Sequence, residues 1–155
     1  MINRRKVRET VLKALYAYRL SKDSTQHIVS NLIQKEDFVK EKDLARFAER
    51  LFFRTVEHEE ELDEIIVKHI RNWDIERLAL IDRFILRMAL CEFLYFEEIP
   101  TKVSLNEAIE LAKRYSTAKS GRFINGILDA ALTDLNEQDL IKKTGRGLIE
   151  KSLGS

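Results

Sequence analysis

Hydrophobic residues recur every three or four positions along nearly the whole chain, the spacing of helices that each bury one face. From Arg4 to Leu20, a turn of about 100° per residue gathers Val7, Val11, Ala14, Leu15 and Tyr18 on one side. Arg5, Arg8, Glu9, Lys13 and Arg19 fall on the other side, with Leu12 and Tyr16 inside that polar arc. Ser21 to Ser24 reads as a polar break, with Asp23 or Ser24 as the cap of a second helix over Gln26–Gln34. Ile28, Leu32 and Ile33 are its inward positions. A third pattern starts near Asp37 or Lys42 and runs to about Ile70 through Leu44, Phe47, Ala48, Leu51, Phe52 and Val56, then Leu62, Ile65, Ile66 and His69. So long a run is expected to bend or break, and Glu57–Glu60 is the expected place. Asn72-Trp73-Asp74 reads as a connection, with Asp74 as the N-cap of a helix from Ile75 onward.

The segment from Leu78 to Phe96 is apolar on almost every side, which predicts a central helix covered by neighbours. It carries Asp82, Arg83, Arg87 and Glu92, too many charges for a membrane span. Pro100, the only proline, ends it, and Ser104-Leu105-Asn106-Glu107 has the pattern of a capping box opening the next helix. A loop over Ser116–Gly121 leads to a last helix with Phe123, Ile124, Ile127, Leu128, Ala131, Leu132 and Leu135 on its apolar face. Asn136 to Ser155 reads as a frayed helix or a mobile tail.

Composition sharpens the class. With 5 glycines and 1 proline, the chain lacks the turn residues that sandwiches, barrels and doubly wound sheets need. The expected fold is all-α, with about seven helices in two packed sub-bundles split near Asn72. Residues 1–135 form one domain and 136–155 a tail. One cysteine excludes a disulfide framework and a multi-cysteine zinc site. The basic start has no apolar run behind it, so no signal peptide is expected, and the chain is expected to be cytoplasmic.

Net charge is only +1, but residues 1–22 hold seven Lys and Arg against Glu9, a local +6 that leaves −5 for the rest. Six acids fall in the eight residues from Glu57 to Glu64. The basic stretch is either a solvated helix face or a local anion-binding surface. Catalytic patterns are missing. His58 lacks the second histidine of a zincin, and His27 and His69 stand apart from ligand-type partners. Lys119-Ser120 has no phosphate-loop glycines before it, and Gly145-Arg146-Gly147 has Glu150 where a third glycine belongs. Cys91 sits in the most apolar helix as core filler, and Asp63 and Glu64 read as a solvated acidic face. No enzyme activity, metal or cofactor is expected. The first helix offers the clearest chemistry: Arg4, Arg5, Lys6 and Arg8 can neutralise phosphates. Tyr16 either gives a stacking platform for an unstacked RNA base or packs on a neighbouring helix.

Arg4-Arg5-Lys6-Val7-Arg8-Glu9 followed by Ala14-Leu15-Tyr16, Ile85-Leu86-Arg87-Met88-Ala89, Asn106-Glu107-Ala108-Ile109-Glu110-Leu111-Ala112-Lys113 and Arg122-Phe123-Ile124-Asn125-Gly126-Ile127-Leu128-Asp129 together resemble the NusB family of bacterial transcription antitermination factors. The resemblance spans about residues 4–134 and implies two small helical bundles. It implies binding of boxA-type single-stranded RNA jointly with NusE, a ribosomal small-subunit protein. The complex would join RNA polymerase and suppress termination during ribosomal RNA synthesis.

By the same resemblance, Arg4, Arg5, Lys6 and Arg8 match the RNA-binding segment, and Tyr16 a tyrosine near RNA and partner. Asp82 matches an acid facing NusE, and Arg122 and Phe123, with the Ser116–Gly121 loop, a second region close to RNA. Lys119 stands where some members carry an acid and would strengthen phosphate binding, while Cys91 stands where many carry tyrosine. Asn125 and Gly126 match the family's Asn-Gly, and Gly126 is expected to serve close helix packing ahead of RNA contact. Some family members self-associate, so a homodimer stays open. Two other readings remain: a helical adaptor that homodimerises or binds proteins, and an accessory domain of an RNA methyltransferase. No Gly-rich cofactor loop supports the latter.

Overall fold

A computed structural model describes residues 3–70 and 75–148, and among them every regular element is helical. The helices are α1 (Arg4–Ser21), α2 (Thr25–Ile28), α3 (Lys42–Glu57), α4 (Glu59–His69), α5 (Leu80–Tyr95), α6 (Thr101–Tyr115) and α7 (Ala118–Glu137). The chain divides into two compact units between Glu57 and His58, not near Asn72. The Asn72–Asp74 connection lies outside the described residues. Among the described residues no helix is long and apolar enough to cross a membrane.

In the first unit, α1 packs along α3, and α2 leads directly into a π-helical turn, Val29–Ile33, that packs against both. Asn3 caps α1 by accepting from the Arg5 and Lys6 amides, and Ser24 caps α2 through the His27 amide. Lys22 ends α1 in the left-handed region at φ 61°, its amide bonded to the Tyr18 carbonyl. The core holds Val7, Val11, Leu12, Phe38, Leu51 and Phe52. Burial on α1 departs from a simple two-faced helix: Arg8, Glu9 and Leu12 are buried with the apolar residues, although their angles place them on the polar arc.

In the second unit, α5 is covered over twelve consecutive residues, Asp82 to Phe93, by α4, α6 and α7. Its charges find partners on each neighbour. The Arg87 guanidinium donates twice to the Asp63 carboxylate, at 2.7 Å each, and lies 3.1 Å from Glu59. The Glu92 carboxylate accepts from the Ser104 hydroxyl at 2.7 Å. The Asp82 carboxylate accepts from the Ser120 hydroxyl at 3.0 Å. Asp63 and Glu59 are therefore tied to a buried cation and are not merely a solvated acidic face.

Three local expectations change. Ser104 does not open α6: the helix starts at Thr101 after Pro100, whose φ of −60° suits a helix entry and whose carbonyl accepts from the Val103 and Ser104 amides, and the Ser104 hydroxyl is drawn to Glu92. The loop before α7 shrinks to Ser116–Thr117, because Thr117 caps α7 through the Ser120 amide. The segment after Glu137, as far as Leu148, is neither frayed nor loose. Ile141 and Lys143 are buried, and the Lys143 ammonium donates to the Glu92 and Phe96 carbonyls at 3.0 and 2.7 Å. It so caps the C-terminal end of α5, where a cation is favoured.

The Thr144 amide donates to the Glu97 carbonyl, and a Cβ on Gly147 would lie 2.0 Å from that same oxygen. A side chain there meets backbone, which cannot step aside as a flexible side chain can. Gly147→Ala is expected to lower stability by about 1–3 kcal/mol, read as a lower thermal midpoint; an unchanged midpoint would mean that this segment does not support α5.

Candidate functional site

The first unit places a cationic helix start at the surface. Arg4 and Arg5 are exposed and Lys6 half-buried in the first turn of α1, which contains no acid. Three cations at a helix N-terminus oppose the macrodipole, which favours anions there by about 0.3–1 kcal/mol per charge. Asn3 already takes the first amides of the helix, so the charge offered to an anion here is that of the side chains together with the positive end of the dipole. Arg4 and Arg8, one turn apart, both lie over the ring of Phe47 on α3, at 4.6 and 5.2 Å from its centroid. Phe47 is buried, so a rigid ring orients two guanidinium groups. Sequence reasoning counted Phe47 only as core, because nothing local links it to α1.

Arg8 itself is 3% exposed, so most of its surface is already covered within the chain. Tyr16 is 37% exposed and projects from the same side of α1 as Arg5. Eleven residues separate them, about 16 Å along the axis. Lys13 and Arg19 are exposed on this half of the helix as well.

The second unit holds the remaining predicted residues around the start of α7. Lys119 and Arg122 are exposed and three residues apart, hence neighbours on one face, and Phe123 beside them is half-buried. The first turn of α7 again has no acid. By contrast α3 and α5 each begin with one and α4 with three, while α6 carries Lys102. Beneath Lys119 and Arg122 the Ser120 hydroxyl joins three groups: Ser116 at 2.9 Å, Thr117 at 3.0 Å and Asp82 at 3.0 Å. Asp82 is 6% exposed, and its second oxygen, Oδ1, is buried with no hydrogen bond among the described residues. This acid thus anchors the α6–α7 turn from inside.

Asn125 and Gly126 are exposed on α7, one turn beyond Arg122, and a Cβ on Gly126 would meet nothing within 4 Å. The expected packing role of Gly126 is therefore corrected: no neighbouring helix comes close. Both residues share the Arg122 face and form an open, uncharged border to it, a point that only the exposure reveals. Cys91 is buried and in no disulfide, and among the described residues no group of three or more His, Cys, Asp or Glu could hold a metal ion.

A family model described as the NusB family matches residues 5–133. A protein named transcription antitermination protein NusB from Salinibacter ruber is 50% identical over 149 residues, covering 96% of this chain and 92% of its own. The structure of T. maritima NusB superposes with a TM-score of 0.77 at 34% identity, over 86% of this chain and 92% of that one. A crystal structure of antitermination factors NusB and NusE in complex with double-stranded RNA matches with a TM-score of 0.75 at 28% identity, over 84% of this chain and 96% of that one.

Two substitutions test these assignments. Ser120→Ala removes the partner of a buried carboxylate and is expected to cost about 1–3 kcal/mol in thermal or urea unfolding. A neutral result would detach Asp82 from the turn. Gly126→Ala places a better helix former in open space and is expected to stabilise by about 0.5–1 kcal/mol. A loss of stability would restore a packing role.

Proposed function

The chain belongs to the NusB family, and from that premise we propose that it is a transcription antitermination factor that binds boxA-type nascent RNA jointly with NusE, the two then suppressing termination by RNA polymerase during ribosomal RNA synthesis. The observation that carries the RNA part is the first turn of α1: cations without an acid at a helix start, one of them, Arg4, lying over a buried aromatic ring. Arg4, Arg5 and Lys6 take phosphates as point charges and forks. Arg8, almost wholly covered, acts by holding Phe47 and the helix start in place. Tyr16 gives a face for an unstacked base or for the partner protein.

Lys119, Arg122 and Phe123 form a second RNA-contacting region on the other unit. Lys119 adds a phosphate contact there, and Phe123, half-buried, leaves part of its ring for stacking. Asp82 serves partner binding from behind, by fixing the turn through Ser120. The work is binding without catalysis, with no cofactor, and it belongs in the cytoplasm with the polymerase.

The test is fluorescence anisotropy of labelled boxA RNA and a scrambled control at two salt concentrations, with and without NusE. Selective binding that tightens with NusE is expected. Arg5→Ala with Lys6→Ala removes two phosphate contacts, so the log–log salt slope is expected to fall by about 1.4. An unchanged affinity and slope would remove α1 from the RNA site. Absence of RNA binding even with NusE would turn the reading to a protein-binding adaptor.

A further inference from the structure

The second unit contains a cavity of about 300 Å³ where α4, the end of α5 and the end of α7 meet, at the lower end of the size range of ligand pockets. Leu94, Leu135 and Leu140 give it apolar walls, and Leu140 remains 47% exposed at the mouth. Glu61, Glu64 and Asp134 supply three carboxylates against the single cation Lys68. Glu61 is engaged by the Tyr95 hydroxyl at 2.7–2.8 Å, and His58, stacked on Tyr95, lies 3.2 Å from the same carboxylate. Asp134 faces His69 at 3.7 Å. Among the described residues no cation lies within ion-pair distance of Glu64.

A second feature points to the same ligand charge. Asp134 sits in the last turn of α7, which has no basic residue, so its carboxylate adds to the negative end of the helix dipole. Both fields favour a cation, and the leucine walls favour one carried on an apolar stem. Lysine and arginine have that build, with methylene stems that lie along apolar surface beneath a charged head. Within the second unit the cavity is also separate from the start of α7. Along α5, Tyr95 stands thirteen residues beyond Asp82, and along α7, Asp134 stands twelve beyond Arg122, which is about 20 Å in each case.

We propose that this acidic, leucine-walled cavity docks a basic segment of a protein partner, an arginine or lysine flanked by apolar residues. The occupant is a polypeptide: the apolar walls and exposed Leu140 call for side chains beside the cation, which a polyamine does not carry.

The experiment is an amide NMR titration of the full chain with the peptide acetyl-Leu-Arg-Leu-Arg-Leu-amide. Parallel titrations use the same peptide with glutamine for arginine, and spermidine. Saturating shifts at Glu61, Glu64, Lys68, Tyr95 and Leu140 with the arginine peptide are expected, and clearly weaker ones with both controls. Glu64→Lys, an exposed position, should weaken the arginine peptide by about threefold or more, and Glu110→Lys on α6 should leave it unchanged. Equal shifts with the glutamine peptide would overturn recognition of the cation, and equal shifts with spermidine would overturn the polypeptide occupant. Equal weakening by both variants would reduce the effect to net charge, and no saturating shift would remove the site.

Discussion

Burying α5 is the constraint on which the second unit depends. Its apolar residues make it the natural centre of a helical cluster, yet Asp82, Arg83, Arg87 and Glu92 go inside with them. An uncompensated buried charge costs several kcal/mol, far more than a surface pair returns. Each neighbour must therefore bring a polar partner to one height on α5. Asp63 and Glu59 do so from α4, Ser104 from α6 and Ser120 from α7. Leucines and isoleucines could slide past one another with little penalty, whereas a shift of one helical turn would strand Arg87. The charges that rule out a membrane span are the same charges that fix the register of the helices.

That register reaches the surface. Asp82 lies under the first turn of α7, and its bond to Ser120 holds the α6–α7 turn from which Lys119 and Arg122 project. The corresponding device on α1 is aromatic: Phe47 carries the Arg4 and Arg8 guanidinium groups. On α1 the buried ring restrains the exposed Arg4 side chain, and on α7 the buried acid fixes the turn from which Lys119 and Arg122 leave the backbone. Such restraint lowers the entropy lost when an anion binds.

The legible part of this architecture is the local part. The three-to-four-residue period located every long helix, and the acidic run at Glu57–Glu60 marked the break that falls between α3 and α4 at His58. What was hidden depends on residues far apart in sequence. Ser104 and Glu107 have the letters of a capping box, but Glu92, twelve residues earlier, takes the serine hydroxyl. Lys143 looks like one of several tail lysines until its ammonium is seen on carbonyls forty-seven and fifty-one residues away. Arg8 sits at a polar angle of the helix, and only tertiary packing covers it. At the candidate site, residue types and spacing marked the cations, while Phe47, Ser120 and the open face at Gly126 needed coordinates.

Helix α7 brings these points together, because its charges run against its own dipole at both ends. It starts with Lys119 and Arg122 and no acid, and it finishes with Asp134 and Glu137 and no base. Each such placement forgoes about 0.3–1 kcal/mol that the opposite charge would contribute. The apolar residues Ile124, Ile127, Leu128, Ala131 and Leu135 hold the helix in place regardless, so the core leaves its ends free to be charged for other purposes. A helix whose termini were arranged for stability alone would carry the reverse pattern. The arrangement suits ligands of opposite sign at opposite ends, an anion over the first turn and a cation near the last. One rigid element thus separates two charge-selective surfaces by its own length, and the fold need not bend for both to be presented.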